Sequence, residues 1–272
     1  DGEPCYADVA SLPAVPELAV IATPAATVPG LVAELGARGT RAAIVLTAGF
    51  SAAQKQALLD AARPHLLRIL GPNGLGLLAP HARLNASFAH ANAKAGSLAF
   101  VSQSGALVTA MLDWARGKSR AIGFSHCVSL GEHADIDFAD VIDWLASDAR
   151  TRAIVLYIES IEGARKFMSA ARAAARNKPV IVVKAGRSAA GQAAAASHTG
   201  ALAGSDLVYD AAIQRAGMLR VQTLDELFIA AETLSRMHLP IMGADLASLE
   251  RLTIVTNGGG AGVLAADAAA RA

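Results

Sequence analysis

Short apolar runs alternate with amphipathic stretches along most of this chain, and the runs end in small-residue turns. Residues 18–23, 42–46 and 67–70 read as strands. Residues 28–38, with Leu31, Val32 and Leu35 on one face, and 52–62 read as helices. A second series has strands at 98–101, 122–129, 153–158 and 179–184, with a shorter one at 219–221. Helices fill its gaps at 106–116, 138–147, 164–176, 207–216 and 224–236. Continuous apolar strands cannot leave one side to water, so they call for parallel sheets covered on both faces. The expectation is an α/β fold with ligands at the carboxyl ends of the strands.

Residues 77–94 show no clear period and contain Pro80, so a domain connection is expected there, between domains at 1–95 and 96–240. Residues 239–250, with Pro240 and Gly243, read as a linker. A third α/β unit is expected over 251–272, opening with a strand at 252–256 and a helix at 263–272. The chain starts at Asp1 and stops inside that helix, which leads us to expect a piece of a longer protein.

Composition excludes some classes. Hydrophobic residues make up 53% and charged residues 17%, which fits a packed core rather than disorder. Net charge is +1 with no basic stripe interleaved with aromatics, so nucleic acid is not an expected partner. No apolar run reaches the roughly 18 residues of a membrane span, and no signal peptide is visible. Cys5 and Cys127 lack metal or redox spacing. Cys127 reads as a buried thiol, no metal site is expected within the chain, and a reducing cytoplasm fits best.

Three loops carry candidate chemistry. Ser197-His198-Thr199-Gly200-Ala201 sets a histidine in a small-residue loop ahead of a helix. An imidazole there can take a phosphoryl group while backbone N–H groups neutralise its charge, or it can be an incidental surface residue. Ser102-Gln103-Ser104-Gly105 and Asn257-Gly258-Gly259-Gly260-Ala261-Gly262 each follow an apolar run and precede a helix. That arrangement presents free N–H groups and the positive helix end to an anion. It is also what any βα turn looks like.

Together with Gly71-Pro72-Asn73, Val128-Ser129-Leu130-Gly131 and Glu159, these motifs follow the order found in nucleoside-diphosphate-forming acyl-CoA synthetases. Those enzymes are relatives of the succinyl-CoA synthetase α subunit, and the chain resembles them over almost its whole length. The resemblance implies a Rossmann-like CoA-binding domain, truncated at its N-terminus, then a flavodoxin-like ligase domain and the start of a third α/β domain. By the same resemblance His198 becomes phosphorylated and Glu159 contacts it, though Glu159 also reads as a strand-end carboxylate capping a helix. Ser102, Gln103, Ser104 and Gly105, with Thr199 and Gly200, match phosphate-contacting groups. Asn257, Gly258, Gly259 and Gly260 resemble the start of a second phosphate-facing helix. Thr47, Ala48, Gly49 and Phe50 match a loop along CoA. Thr23 and Pro24 match a loop near its nucleotide, and Asn73 is placed with them; plain βα turns are the other reading.

The implied activity is ADP-forming ligation of acetate or a similar carboxylic acid to CoA, with ATP and Mg²⁺ entering through an ATP-grasp region outside this chain. The chain departs from the family at Gly74, where a cysteine is common, so a thiol role there is excluded. Leu84-Asn85-Ala86-Ser87-Phe88, Asp113-Trp114-Ala115 and residues 165–172 resemble a bacterial branch fused to a GNAT acetyltransferase domain. That resemblance implies an alternative: a CoA- or acyl-CoA-sensing region of a protein lysine acetyltransferase. Oligomeric state stays open, a homo-oligomer being possible.

Overall fold

Alternation of apolar side chains along short strands sorts this protein into layers. In a computed structural model, the described residues are 2, 4–118, 121–188, 190–192, 205–236 and 253–271. They fall into two compact units, Asp1–Met237 and His238–Ala272.

The first unit opens with a three-stranded parallel sheet, β1 (Leu18–Ile21), β2 (Ala42–Val45) and β3 (Arg68–Leu70), in that order. Ala43, Val45 and Ile69 point to one face. There they bury Val28, Val32 and Leu35 of α1 (Val28–Arg38) and Leu58 and Ala62 of α2 (Ala52–Ala62). Ile44 and Leu70 point to the other face and join the core of the larger sheet. Successive strand residues face opposite sides, so one short strand serves two cores. Ser51 and Gln54 form a capping box at the start of α2, each side chain bonding the other's backbone N–H.

A seven-stranded sheet follows, built from β4 (Gly76–Ala79), β5 (Leu84–Ser87), β6 (Ala95–Ser102), β7 (Phe124–Ser129), β8 (Ala153–Ile158), β9 (Val180–Lys184) and β10 (Leu219–Val221). Its order is β10-β9-β8-β6-β7-β4-β5. β6 to β10 are parallel to their neighbours among themselves, whereas β4 runs antiparallel to both β7 and β5. Ala99, Val101, Ile154, Leu156 and Ile158 pack under α4 (Phe138–Ser147) and α5 (Ala164–Ala175). Leu98, Phe100 and Val155 pack on the opposite face under α3 (Gly105–Arg116) and α7 (Leu224–Arg236). α6 (Asp206–Arg215) contributes Ile213 to the α4–α5 side. The buried thiol expected at Cys127 is buried, and burial raises its pKa.

In the first unit the structure corrects two expectations. Residues 77–94 are not simply a connection: they hold most of the β4–β5 hairpin, which extends the larger sheet. The chain turns at Pro80 and Arg83 (φ 54°) between the two strands, so no single period runs through the segment. The all-parallel sheet expected from continuous apolar runs is accordingly mixed at that edge.

In the second unit, α8 (Gly259–Arg271) begins inside the glycine run, four residues earlier than periodicity placed it. Residues 253–256 form no strand among the described residues, because a strand exists only with a hydrogen-bonded neighbour. No helix of the described residues is long and apolar enough to cross a membrane.

Candidate functional site

The chain leaves β6 for β7 on one side and then crosses to β8 on the other side of β6. At such a reversal the loops after the two strands diverge and open a crevice at their carboxyl ends. Here those ends are Ser102 and Ile158. One side chain bridges them. Gln103 Oε1 accepts from the N–H of Glu159 at 2.5 Å and of Ser160 at 2.9 Å, and its Nε2 donates to Ser160 Oγ at 3.1 Å. Gln103 is only 7% exposed, so these bonds are made away from water and set the spacing of the crevice.

Next to it, Ser102 Oγ accepts from Ser104 N–H at 3.0 Å and donates to Ser104 O at 2.8 Å. That closes a tight turn and delivers Ser104 as the N-cap of α3, its Oγ accepting from Leu107 N–H at 3.4 Å. The N–H groups of Gly105 and Ala106, in the first turn of α3, have no carbonyl to bond within the helix. Gly105 and Ala106 line a cleft of about 430 Å³, a volume suited to a small ligand. A Cβ on Gly105 would stand 3.2 Å from Leu75 Cβ, so the glycine lets α3 start against the facing loop.

That facing loop, residues 71–75, is held from both sheets. Asn73 N–H donates to Thr47 O at 2.9 Å on the first sheet, and Leu75 N–H to Ser129 Oγ at 2.9 Å on the second. Asn73 sits at φ 60°, a left-handed conformation that asparagine tolerates. Gly131 at φ 56° passes so close that a Cβ would lie 2.2 Å from Pro72 O. Asn73, Gly74 and Leu75 line the same cleft as Ser104 and Gly105.

Glu159 and Ser160, just past β8, form another wall. Burial pushes the Tyr157 phenol up to about 12, assisted by the Glu159 carboxylate with which it hydrogen-bonds. At the end of the adjacent strand Lys184 is 2% exposed, its ammonium 4.4 Å from the Tyr209 ring centre. Burial lowers the Lys184 pKa and Arg220 adds to that, while Asp206 and Glu159 oppose it.

The sequence-derived candidates therefore divide. Gln103, Ser104, Gly105, Glu159 and Asn73 meet in one cleft. Ser102 is fully buried and turns its hydroxyl inward. Thr23 and Thr47 come together at the carboxyl end of the first sheet, Thr47 Oγ1 donating to Thr23 O at 2.6 Å, with Pro24, Ala48 and Gly49 exposed beside them. Phe50 packs into the α1–α2 core. Asn257, Gly258, Gly259 and Gly260 lie in the second unit, where Gly258 N–H donates to Thr256 Oγ1 at 3.1 Å ahead of α8. His198, Thr199 and Gly200 lie outside the described residues. Among the described residues no group of three or more His, Cys, Asp or Glu is placed to hold a metal ion.

Sequence reasoning missed Lys55, Glu132, His133 and Phe88, which also line the cleft. The available signal was Glu132-His133, directly after the Val128–Gly131 motif.

Residues 95–234 match the succinyl-CoA-ligase-like flavodoxin domain, and residues 1–80 match a CoA-binding domain. The chain is 42% identical, over 97% of its length, to 56% of the α subunit of the ADP-forming acetate–CoA ligase I of Pyrococcus furiosus. It is 36% identical, over 98% of its length, to 38% of an ADP-forming 4-hydroxybutyrate–CoA ligase of Nitrosopumilus maritimus. Among solved structures it is similar to a dinucleotide-forming acetyl-coenzyme A synthetase 1 of Ca. Korarchaeum cryptofilum in complex with phosphate and ADP. The TM-score is 0.87 and the identity 38%, covering 96% of this chain and 56% of that one. The chain thus spans from a little over a third to a little over half of the length of these relatives.

Proposed function

The chain belongs to the succinyl-CoA-ligase-like flavodoxin family, with a CoA-binding domain ahead of that region, and on this premise we propose that it forms the acyl- and CoA-handling part of an ADP-forming acid–CoA ligase. The observation that carries this reading is the shared cleft: the start of α3 opens into the same space as the Asn73 loop and Glu159. The first N–H groups of α3 and the positive helix end are suited to phosphoryl oxygens. The Thr23, Thr47 and Ala48–Gly49 loops at the adjacent sheet end are suited to CoA. Gly49, at φ 83°, has no atom within 4 Å of where a Cβ would stand, so its backbone is open to a ligand.

In this reading His198 carries a phosphoryl group that originates on ATP, with Mg²⁺ and an ATP-grasp partner region lying beyond these residues. A carboxylate oxygen of the acid attacks phosphorus, the P–N bond to His198 breaks, and an acyl phosphate forms. The CoA thiolate then attacks the acyl carbon, the C–O bond to phosphate breaks, and acyl-CoA and inorganic phosphate leave. Two displacements through a covalent intermediate replace one harder step. Charge on the phosphoryl oxygens is met by the preorganised donors at Gly105 and Ala106. Glu159 would hold the second imidazole nitrogen of His198 and fix its tautomer.

The test uses the full-length protein and γ-labelled ATP. The label is expected on His198, acid-labile and base-stable, and His198→Asn is expected to abolish acid-dependent CoA ligation while leaving the circular dichroism spectrum unchanged. Ligation that persists in His198→Asn overturns the phosphohistidine route. Wild-type protein that binds CoA and acyl-CoA yet ligates no acid overturns the ligase reading in favour of a sensing region attached to an acetyltransferase.

A further inference from the structure

We infer that Glu132 sets which acids this cleft accepts, by occupying Lys55 as a built-in carboxylate; the inference rests on the ligase reading for its substrates. Lys55 Nζ on α2 lies 3.0 Å from Glu132 Oε2, and Asn73 Nδ2 donates to Glu132 Oε1 at 3.3 Å. Both carboxylate oxygens are thus met by N–H donors, the arrangement in which an incoming carboxylate would be received. All three side chains line the cleft into which α3 starts.

The backbone that carries Glu132 is fixed in place. Its N–H donates to Pro72 O at 2.8 Å, and the preceding Gly131 is wedged against residues 72 and 73. The pair itself is only partly shielded, with side chains 35% and 23% exposed, so the contact is weak enough for Lys55 to exchange partners once Glu132 is neutralised.

The consequence for selectivity follows from charge. An acid with one carboxylate places it at the α3 start and leaves an uncharged tail against Leu46, Leu75 and Phe88. An acid with a second, distal carboxylate would find Lys55 already paired and would meet Glu132, with Glu162 on the same cleft wall. A like charge left unpaired discriminates more strongly than a missing contact does. The class accepted is therefore monocarboxylic acids with uncharged tails, and the excluded class is dicarboxylic acids. The cation needed to bind a dicarboxylate is present but covered.

The experiment is a gain of function in the full-length protein. The ratio of kcat/KM for succinate and glutarate to that for acetate and butyrate is measured in wild type, Glu132→Gln, Lys55→Met and the double variant. Glu132→Gln is expected to raise the ratio about tenfold. Lys55→Met, which breaks the same ion pair, is expected to leave it low, and adding Lys55→Met to Glu132→Gln is expected to cancel the gain. An unchanged ratio in Glu132→Gln, or an equal rise in Lys55→Met, overturns the inference. Binding of succinate and butyrate without ATP or CoA, followed by ligand-observed NMR on the same variants, separates this from failure of the ligase reading. Lys55-dependent gain of succinate binding in a protein that ligates nothing supports the filter and sinks the ligase; absence of any gain sinks the filter.

Discussion

The helices α3 and α8 start on the same hydrogen-bonded turn in very different surroundings. In each, a hydroxyl three residues before the first helical residue both accepts from and donates to the backbone two residues on. Ser102 does so with Ser104, at 3.0 and 2.8 Å, and Thr256 does so with Gly258, at 3.1 and 3.2 Å. The α3 start is then hemmed in. Ser102 is fully buried, Gln103 is tied to the next strand, and Gly105 faces Leu75. At the α8 start, Gly259 and Gly260 have no atom within 4 Å of where a Cβ would stand. A hydroxyl and a small residue are enough to make the turn, because its bonds are local. Making a cleft wall from that turn requires neighbours from other parts of the chain.

The comparison is tested hardest by adding one methyl group to each region. Gly131→Ala puts a Cβ 2.2 Å from Pro72 O at a left-handed φ, and is expected to destabilise the first unit by about 3 kcal/mol in urea unfolding, with the slope unchanged. Gly260→Ala meets open space and is expected to be neutral or to add up to about 1 kcal/mol, read as helical circular dichroism. Equal tolerance at both positions would mean that the close approach around the cleft does not constrain the fold.

A smaller effect separates the polar residues of the two turns. Gln103→Ala removes the acceptor for the Glu159 and Ser160 N–H groups and is expected to cost about 2 kcal/mol. Asn257→Ala, at an exposed position, is expected to stay within about 0.5 kcal/mol. A Gln103→Ala protein as stable as wild type would show that water replaces the latch and that the crevice has another source of rigidity.

The smallest effect is a pH slope confined to the first unit. His126 is 8% exposed with Trp144 against its ring, and burial lowers its pKa, outweighing the pull of Asp148. A histidine whose pKa is lower in the fold than in the unfolded chain stabilises the fold above the unfolded value of about 6.5 and loses that contribution as pH falls. Unfolding of the first unit should therefore become easier from pH 7 towards pH 5, and His126→Gln should flatten that slope. Residues 253–271 contain no histidine, so α8 should show no such dependence. A slope that survives His126→Gln would assign it to another group.

Much of the molecule was legible in the chain because its determinants are local or periodic. Strands β6 to β9 had to be buried, since residues such as 98–101 and 153–158 leave no polar face. The turn at 102–105 was legible for the same reason as its twin at 256–258. The β4–β5 hairpin was not, because Gly76–Ala79 is defined as a strand by its pairing with β5 and, through Leu77↔Val128 and Leu78↔Cys127, with the distant β7. Nor was residue 252–256, apolar enough for a strand yet without a partner for its described part.

By itself, then, the sequence determined the α/β class, the layered burial and the presence of helices that start from small-residue turns. Each of these follows from side-chain period or from hydrogen bonds spanning two or three residues. Only the tertiary structure decided that Ser104, Asn73 and Glu159 share a cleft, that the Ser102 and Gln103 side chains are turned inward, and that Lys55 is met by Glu132. Apart from the local bonds of Ser102, those contacts join residues dozens of positions apart, and no local pattern encodes them. The strand order that reverses at β6 and the close approach at Gly131 bring them together.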